Sequence, residues 1–130
     1  MEVWKPIPGH DGYEVSDEGR VRSSGRNVVY KTGARHFHHS RILKQFTLWN
    51  GYKTTHLGSK HMNNYVHRLI MLAFHGPTPA GMEVCHNDGV KSHNRLTNLR
   101  FDTRVANRAD IRRHAIEAVV DKYLWIWSTD

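Results

Sequence analysis

His86, Asn98 and Asn107 are the residues of this chain whose types and spacing could do hydrolytic chemistry. Eleven residues separate the first pair and eight the second. Histidine is the side chain whose neutral form can take a proton from water near physiological pH. The amide oxygen of Asn107 is a hard donor, suited to Mg²⁺ or Mn²⁺ beside phosphate oxygens. A metal there would stabilise charge on a phosphorus-centred transition state and on its leaving oxygen. Lone asparagines more often close turns or cap helices. The joint spacing with His86 is what separates Asn98 and Asn107 from that class.

Bringing the three together requires a ββα order. Met82-Glu83-Val84-Cys85 reads as a strand that delivers His86 into the turn Asn87-Asp88-Gly89. Leu99-Arg100-Phe101 reads as the returning strand. Thr103 or Asp102 can cap a helix beginning at Arg104, with Asn107 in its first turn. A helix N-terminus nearby adds partial positive charge that favours phosphate.

This stretch, VCHNDGVKSHNRLTNLRFDTRVAN, resembles the active-site motif of the HNH nucleases, in the phage and homing-endonuclease branch whose final His is replaced by Asn. The resemblance implies a ββα-metal (His-Me finger) fold that hydrolyses DNA phosphodiester bonds to 5′-phosphate and 3′-hydroxyl ends. It implies that His86 activates water, Asn98 orients His86, and Asn107 binds one divalent ion, Mg²⁺ or Mn²⁺. Many relatives carry Asp immediately before the first His as a second metal ligand. Cys85 stands there in this chain, a candidate ligand whose soft sulfur matches Mg²⁺ poorly. Its other reading is a small apolar strand residue. The ion would then rest on Asn107, waters, DNA phosphate and either Asp88 or Asp102. Weak or Mn²⁺-favouring activity is the expectation.

Upstream, Tyr13-Glu14-Val15-Ser16 and Arg20-Val21-Arg22-Ser23 flank Asp17-Glu18-Gly19 and predict a hairpin. This text resembles the module that often precedes homing-type HNH nucleases. The matches are Trp4, Pro6, Ile7, Gly9, Gly12, Tyr13, Val15, Ser16, Gly19, Arg20, Val21, Arg22 and Ser23. The resemblance implies a DNA-contacting element. Strand alternation puts Arg20 and Arg22 on one side, for phosphate or for solvent. Residues 24–40 read as a polar loop ordered by DNA, with His36, His38 and His39 exposed and lacking the partners of a metal site.

Asn50-Gly51 predicts a second hairpin, between Ile42–Leu48 and Tyr52–Leu57. Gly58-Ser59-Lys60 reads as a turn, with Lys60 and His61 in the loop. Val66, Leu69, Ile70, Ala73 and Phe74 form one helical stripe, ended by Gly76-Pro77. His67 and Met71 fall off that stripe, and His67 is given no catalytic role. The terminal helix is expected from Arg104 to Trp127. Arg104, Arg108 and Arg112 repeat every four residues along one face. With Arg95 in the preceding loop they are the candidates for DNA contact. Ile116, Val119, Val120, Tyr123, Leu124 and Trp127 form an apolar stripe. It should cover part of the N-terminal module or a second copy of the chain, as a homodimer.

The 130 residues carry a net charge of +7 and 11 His, which points to a polyanionic partner, here double-stranded DNA. One Cys excludes an internal disulfide and a multi-thiolate zinc cluster. No apolar run matches a membrane span, and the N-terminus lacks a signal-peptide layout. The expected setting is the cytoplasm, that of a bacterial host for a phage-encoded chain. The fold expected is α+β: antiparallel hairpins and a core helix, then the ββα-metal motif and a long terminal helix. Residues 1–62 would form the DNA-contacting module and residues 63–130 the nuclease core. Two rivals stand beside this reading: a DNA-binding module with decayed catalysis, and an RNA-directed nuclease.

Overall fold

Short strands joined by glycine-bearing turns occupy the first half of the chain, and one helix separates them from the ββα unit. The computed structural model describes residues 1–58 and 63–127, with side chains described as far as residue 121. Ser59, Lys60 and His61, and the side chains of Tyr123, Leu124 and Trp127, lie outside the described residues.

The strands are β1 (Trp4–Pro6), β2 (Tyr13–Ser16), β3 (Val21–Ser23), β4 (Arg26–Val29), β5 (Arg35–His38), β6 (Arg41–Ile42), β7 (Phe46–Thr47), β8 (Lys53–Thr55) and β9 (Asn64–Tyr65). Helix α1 (Val66–His75) follows. Then come β10 (Met82–His86), a 3-10 turn at Leu96–Asn98, β11 (Leu99–Thr103) and α2 (Arg104–Trp127). All pairings are antiparallel: β1-β2-β3-β6, β4-β5, β7-β8-β9 and β10-β11. The α+β architecture matches the expectation.

The hairpin β2–β3 turns at Gly19, whose φ of 91° no side chain adopts cheaply. Residues 24–40 depart from the expected loop. They form the hairpin β4–β5, with Val28 opposite His36 and Val29 opposite Arg35. Both strands are mostly exposed, so no buried face leaves an alternating apolar pattern to read. The run expected from Ile42 also divides. Arg41–Ile42 joins the N-terminal sheet beside β3, and only Phe46–Thr47 pairs with β8.

Val66, Leu69 and Ile70 of α1 are buried as the stripe predicts, but so are Met71 and His67. The helix is covered by β1 and β2 as well as by β8, β9, β10 and β11, so more than one of its faces is closed. The core joins Ile7, Val15 and Val21 from the N-terminal sheet to Leu57, Val66, Leu69, Ile70 and Met71, and to Val84 and Leu99 of the β10–β11 pair. Each such side chain contributes about 1.5–3 kcal/mol when fully buried. That core draws on both sides of the 62/63 boundary. Helix α2 packs on β10 and β11. Further along, Ile116, Val119 and Val120 are exposed rather than covered by the N-terminal module.

Candidate active site

His86 is the last residue of β10, where the strand hands the chain to a long loop that folds back before β11. Opposite it in the register is Leu99, the first residue of β11. The imidazole is buried, and its Nε2 lies 2.7 Å from Oδ1 of Asn94, itself buried in that loop. An amide oxygen only accepts, so Nε2 carries the proton and Nδ1 keeps its lone pair. Burial lowers the pKa of His86, outweighing the Asn94 hydrogen bond, which raises it. The ring is therefore neutral at pH 7 and holds one basic nitrogen.

The sequence points to Asn98 as the partner of His86; the residue in contact is Asn94. Asn98 instead fixes the loop. Its Nδ2 donates to Asp88 Oδ1 at 2.9 Å and to the His93 carbonyl at 2.8 Å, and its Oδ1 accepts from the Asp88 N–H at 3.1 Å. Its carbonyl accepts from the Asn87 N–H at 2.7 Å. Asp88 also accepts from His93 and from the Val90 N–H. Burial pushes the Asp88 carboxyl up, but the bonds from His93, Val90 and Asn98 win and hold it at about 2. Asn98 thus bonds to the loop that carries Asn94 rather than to the imidazole. Nothing in the residue spacing distinguishes Asn94 from Asn98, because which amide meets the ring depends on how the loop doubles back.

The N-terminal module reaches the same loop. The Leu96 N–H donates to the Asp17 carbonyl at 2.9 Å, and Gln45 Nε2 donates to the Gly19 carbonyl at 2.8 Å. A Cβ on Gly19 would stand 3.0 Å from the Asn94 carbonyl oxygen. The β2–β3 turn is therefore pressed against the backbone of the residue that holds His86. Gly89 makes a comparable approach: a Cβ there would lie 2.5 Å from His114 Nδ1 on α2.

Thr103 caps α2, its Oγ1 accepting from the Ala106 N–H at 3.3 Å, and Asn107 falls in the first turn as expected. Asn107 Nδ2 donates to Glu83 Oε1 at 2.6 Å. Arg100 ties β11 to both the loop and α2. It donates to Asn87 Oδ1 at 2.7 Å, to Asp102 Oδ2 at 3.1 Å and to Asp110. Cys85 is 1 % exposed; burial pushes its thiol up to about 11. A protonated, enclosed sulfur is a poor match for a hard ion, although Cys85 lines one cavity with His86 and Asn107. Asp102 is committed to Arg100 and the Thr103 N–H, and Asp88 to its loop.

Among the described residues no group of three His, Cys, Asp or Glu gathers around a metal position. Two oxygens stand together at the start of α2: Asn107 Oδ1, left over when Nδ2 donates, and the Glu83 carboxylate that accepts that bond. Such donors fit Mg²⁺ or Mn²⁺. Above them, Tyr52 stacks on His67 with ring centres 5.0 Å apart, and His67 lies 5.2 Å from the ring of His86. Burial, then the His86 charge, lowers His67 to about 3, so it too is neutral.

The arginines divide into engaged and available sets. Arg20 donates to Glu2, with Nε at 2.9 Å from Oε2, and Arg22 lies 3.4 Å from Glu14 and stacks over Trp4. Arg104 approaches Glu83 at 3.9 Å while remaining largely exposed. Arg95, Arg108 and Arg112 are exposed, and none forms an ion pair among the described residues. The structure adds Arg26 and Arg41, which with His38 and His39 line a cavity of about 230 Å³ between β3 and the β4–β5 hairpin. Only the hairpin brings those four together.

Residues 64–109 match the family model for the HNH endonuclease, and residues 2–58 match the NUMOD4 motif. The chain is 33% identical over 107 residues to DNA endonuclease I-HmuI of Bacillus phage SP01, covering 80% of this chain and 54% of that protein. It therefore spans about half the length of the curated relative it matches. The solved structure described as DNA binding and cleavage by the HNH homing endonuclease I-HmuI superposes with a TM-score of 0.65 at 31% identity. That match covers 87% of this chain and 59% of the other.

Proposed function

We propose, from a chain whose residues 64–109 belong to the HNH endonuclease family and whose residues 2–58 carry the NUMOD4 motif, that it is a metal-dependent DNA endonuclease with His86 as its general base. One observation carries the reading: a neutral, buried imidazole whose Nε2 is held by Asn94 and whose Nδ1 is therefore the basic nitrogen. His86 Nδ1 takes the proton from the attacking water, and Asn94 keeps the ring in the tautomer that can do so. Asn98 holds the loop that carries Asn94, which makes it a positioning residue. Asn107 offers its Oδ1 to a single Mg²⁺ or Mn²⁺. That ion, when bound, supplies charge stabilisation for the pentacoordinate phosphorus and the departing 3′ oxygen, leaving a 5′-phosphate.

Duplex DNA is the substrate we assign. Arg95, Arg108 and Arg112 offer unpaired guanidinium groups for its phosphates, and Arg104 is held only loosely by Glu83. Arg20 and Arg22 belong to the same interface in this reading, released from Glu2 and Glu14 where phosphate replaces the carboxylates. Among the described residues no helix is long and apolar enough to cross a membrane. The working compartment we assign is the bacterial host cytoplasm, for a phage-encoded chain.

Plasmid cleavage with Mg²⁺, Mn²⁺ or EDTA tests the proposal, comparing wild type with His86→Ala. Metal-dependent nicking should disappear in the variant, by about a hundredfold or more in rate. Retardation of the plasmid on a gel without any cutting by wild type would replace the enzyme reading with that of a DNA-binding module.

A further inference from the structure

We propose that the divalent ion is held by the Glu83 carboxylate, Asn107 Oδ1 and the His67 imidazole, in the cavity between β10, α1 and α2, and that Cys85 takes no part. The inference rests on the nuclease reading and deepens it, by naming the acidic ligand of a site in which Cys85 occupies the expected place.

Strand alternation puts Glu83 and Cys85 on the same face of β10, two residues apart. Of the two, Glu83 meets Asn107 directly, with 2.6 Å between Oε1 and Nδ2. That bond uses the amide nitrogen and leaves Oδ1 as the donor turned over to a ligand. Cys85 is closed off, its Sγ donating to the Glu83 carbonyl at 3.7 Å. A hard ion prefers carboxylate and amide oxygen to a buried thiol.

Glu83, Asn107 and His67 line one cavity of about 110 Å³, with Tyr52, Val84, Tyr65 and Arg68, whose guanidinium lies 5.0 Å from the Tyr65 ring centre. A water occupies about 30 Å³ of liquid, so the space takes an ion together with two or three of its waters. His67 is 5 % exposed, and its Nδ1 is buried with no hydrogen-bond partner. A buried ring nitrogen without a partner calls for a ligand that the free chain lacks. The ring is also 5.2 Å from that of His86, which lines the neighbouring cavity that Asn107 shares. Two oxygens and one imidazole nitrogen favour Mn²⁺ over Mg²⁺, because Mn²⁺ accepts nitrogen more readily.

The test is Mn²⁺ binding to the full chain without DNA, followed by electron paramagnetic resonance, with circular dichroism confirming that each variant folds. Glu83→Gln keeps an acceptor for the Asn107 amide and removes only the charge. It should weaken Mn²⁺ binding at least about tenfold, as should His67→Gln, whereas Cys85→Ser stays within about twofold of wild type. Wild-type affinity in either Glu83→Gln or His67→Gln, loss of binding in Cys85→Ser, or no binding by wild type overturns the proposal. Plasmid nicking by wild type separates the two readings. Nicking that survives an overturned site leaves the nuclease in place with its metal elsewhere, and absent nicking removes both.

Discussion

In the proposed reaction Asn94 selects which nitrogen of His86 acts, and with it how activity follows pH. The reaction needs the neutral ring, and burial lowers the pKa of His86 below its usual value. The acid limb of the wild-type profile should therefore lie below about pH 6.5, the ordinary imidazole value. Asn94→Asp places a carboxylate on Nε2, which favours the imidazolium and moves that limb to higher pH. Asn94→Ala removes the tautomer lock and should lower kcat by about tenfold with little change in DNA affinity. Rate profiles of the two variants on a nicked-plasmid assay check both; an unmoved limb in Asn94→Asp would take Asn94 out of the mechanism. His86 and Asn107 were legible as chemistry from their types and spacing. Asn94 and Glu83 were not, because a hydrogen bond across a doubled-back loop and one across a strand–helix contact leave no mark in residue order.

Elements carry the geometry from one end of the chain to the other. The β2–β3 turn presses Gly19 against the Asn94 backbone, so the N-terminal hairpin supports the loop that holds His86. Gly19→Ala adds a Cβ at positive φ and against a main-chain oxygen. It should cost about 1–3 kcal/mol of stability, read as a lower thermal midpoint, and lower kcat even where the protein is folded. A stable, fully active Gly19→Ala would show that the contact is dispensable. On α2 the arginine row makes a different prediction. Arg108→Ala with Arg112→Ala should weaken duplex binding across all sequences and reduce the slope of log affinity against log salt by about two. An unchanged slope would move the DNA to another face. The two-residue and helical periods predicted β2, β3 and α1, which carry buried residues, and the helical stripe predicted α2, whose described side chains are not buried. The β4–β5 hairpin escaped because both of its faces are exposed, so its residues carry no alternation.

At the scale of the whole molecule, one core ties the N-terminal sheet, α1 and the β10–β11 pair together, while the far part of α2 stands clear of it. Ile116, Val119 and Val120 remain 64%, 53% and 47% exposed. We propose that a second copy of the chain covers that stripe. Sedimentation velocity at micromolar concentration should give a dimer, and Val120→Asp a monomer; a monomeric wild type ends the homodimer reading. The sequence by itself determined the ββα order, the core helix and the place of His86 at the end of its strand. Those depend on local period, turn glycines and residue chemistry, all of which act within a few positions. Only the tertiary structure decided which amide meets His86, that Glu83 hydrogen-bonds Asn107, and that the N-terminal turn packs against the loop. Those are contacts between segments far apart in the chain, set by how the shared core aligns its sheets, and no local preference of the residues involved encodes them.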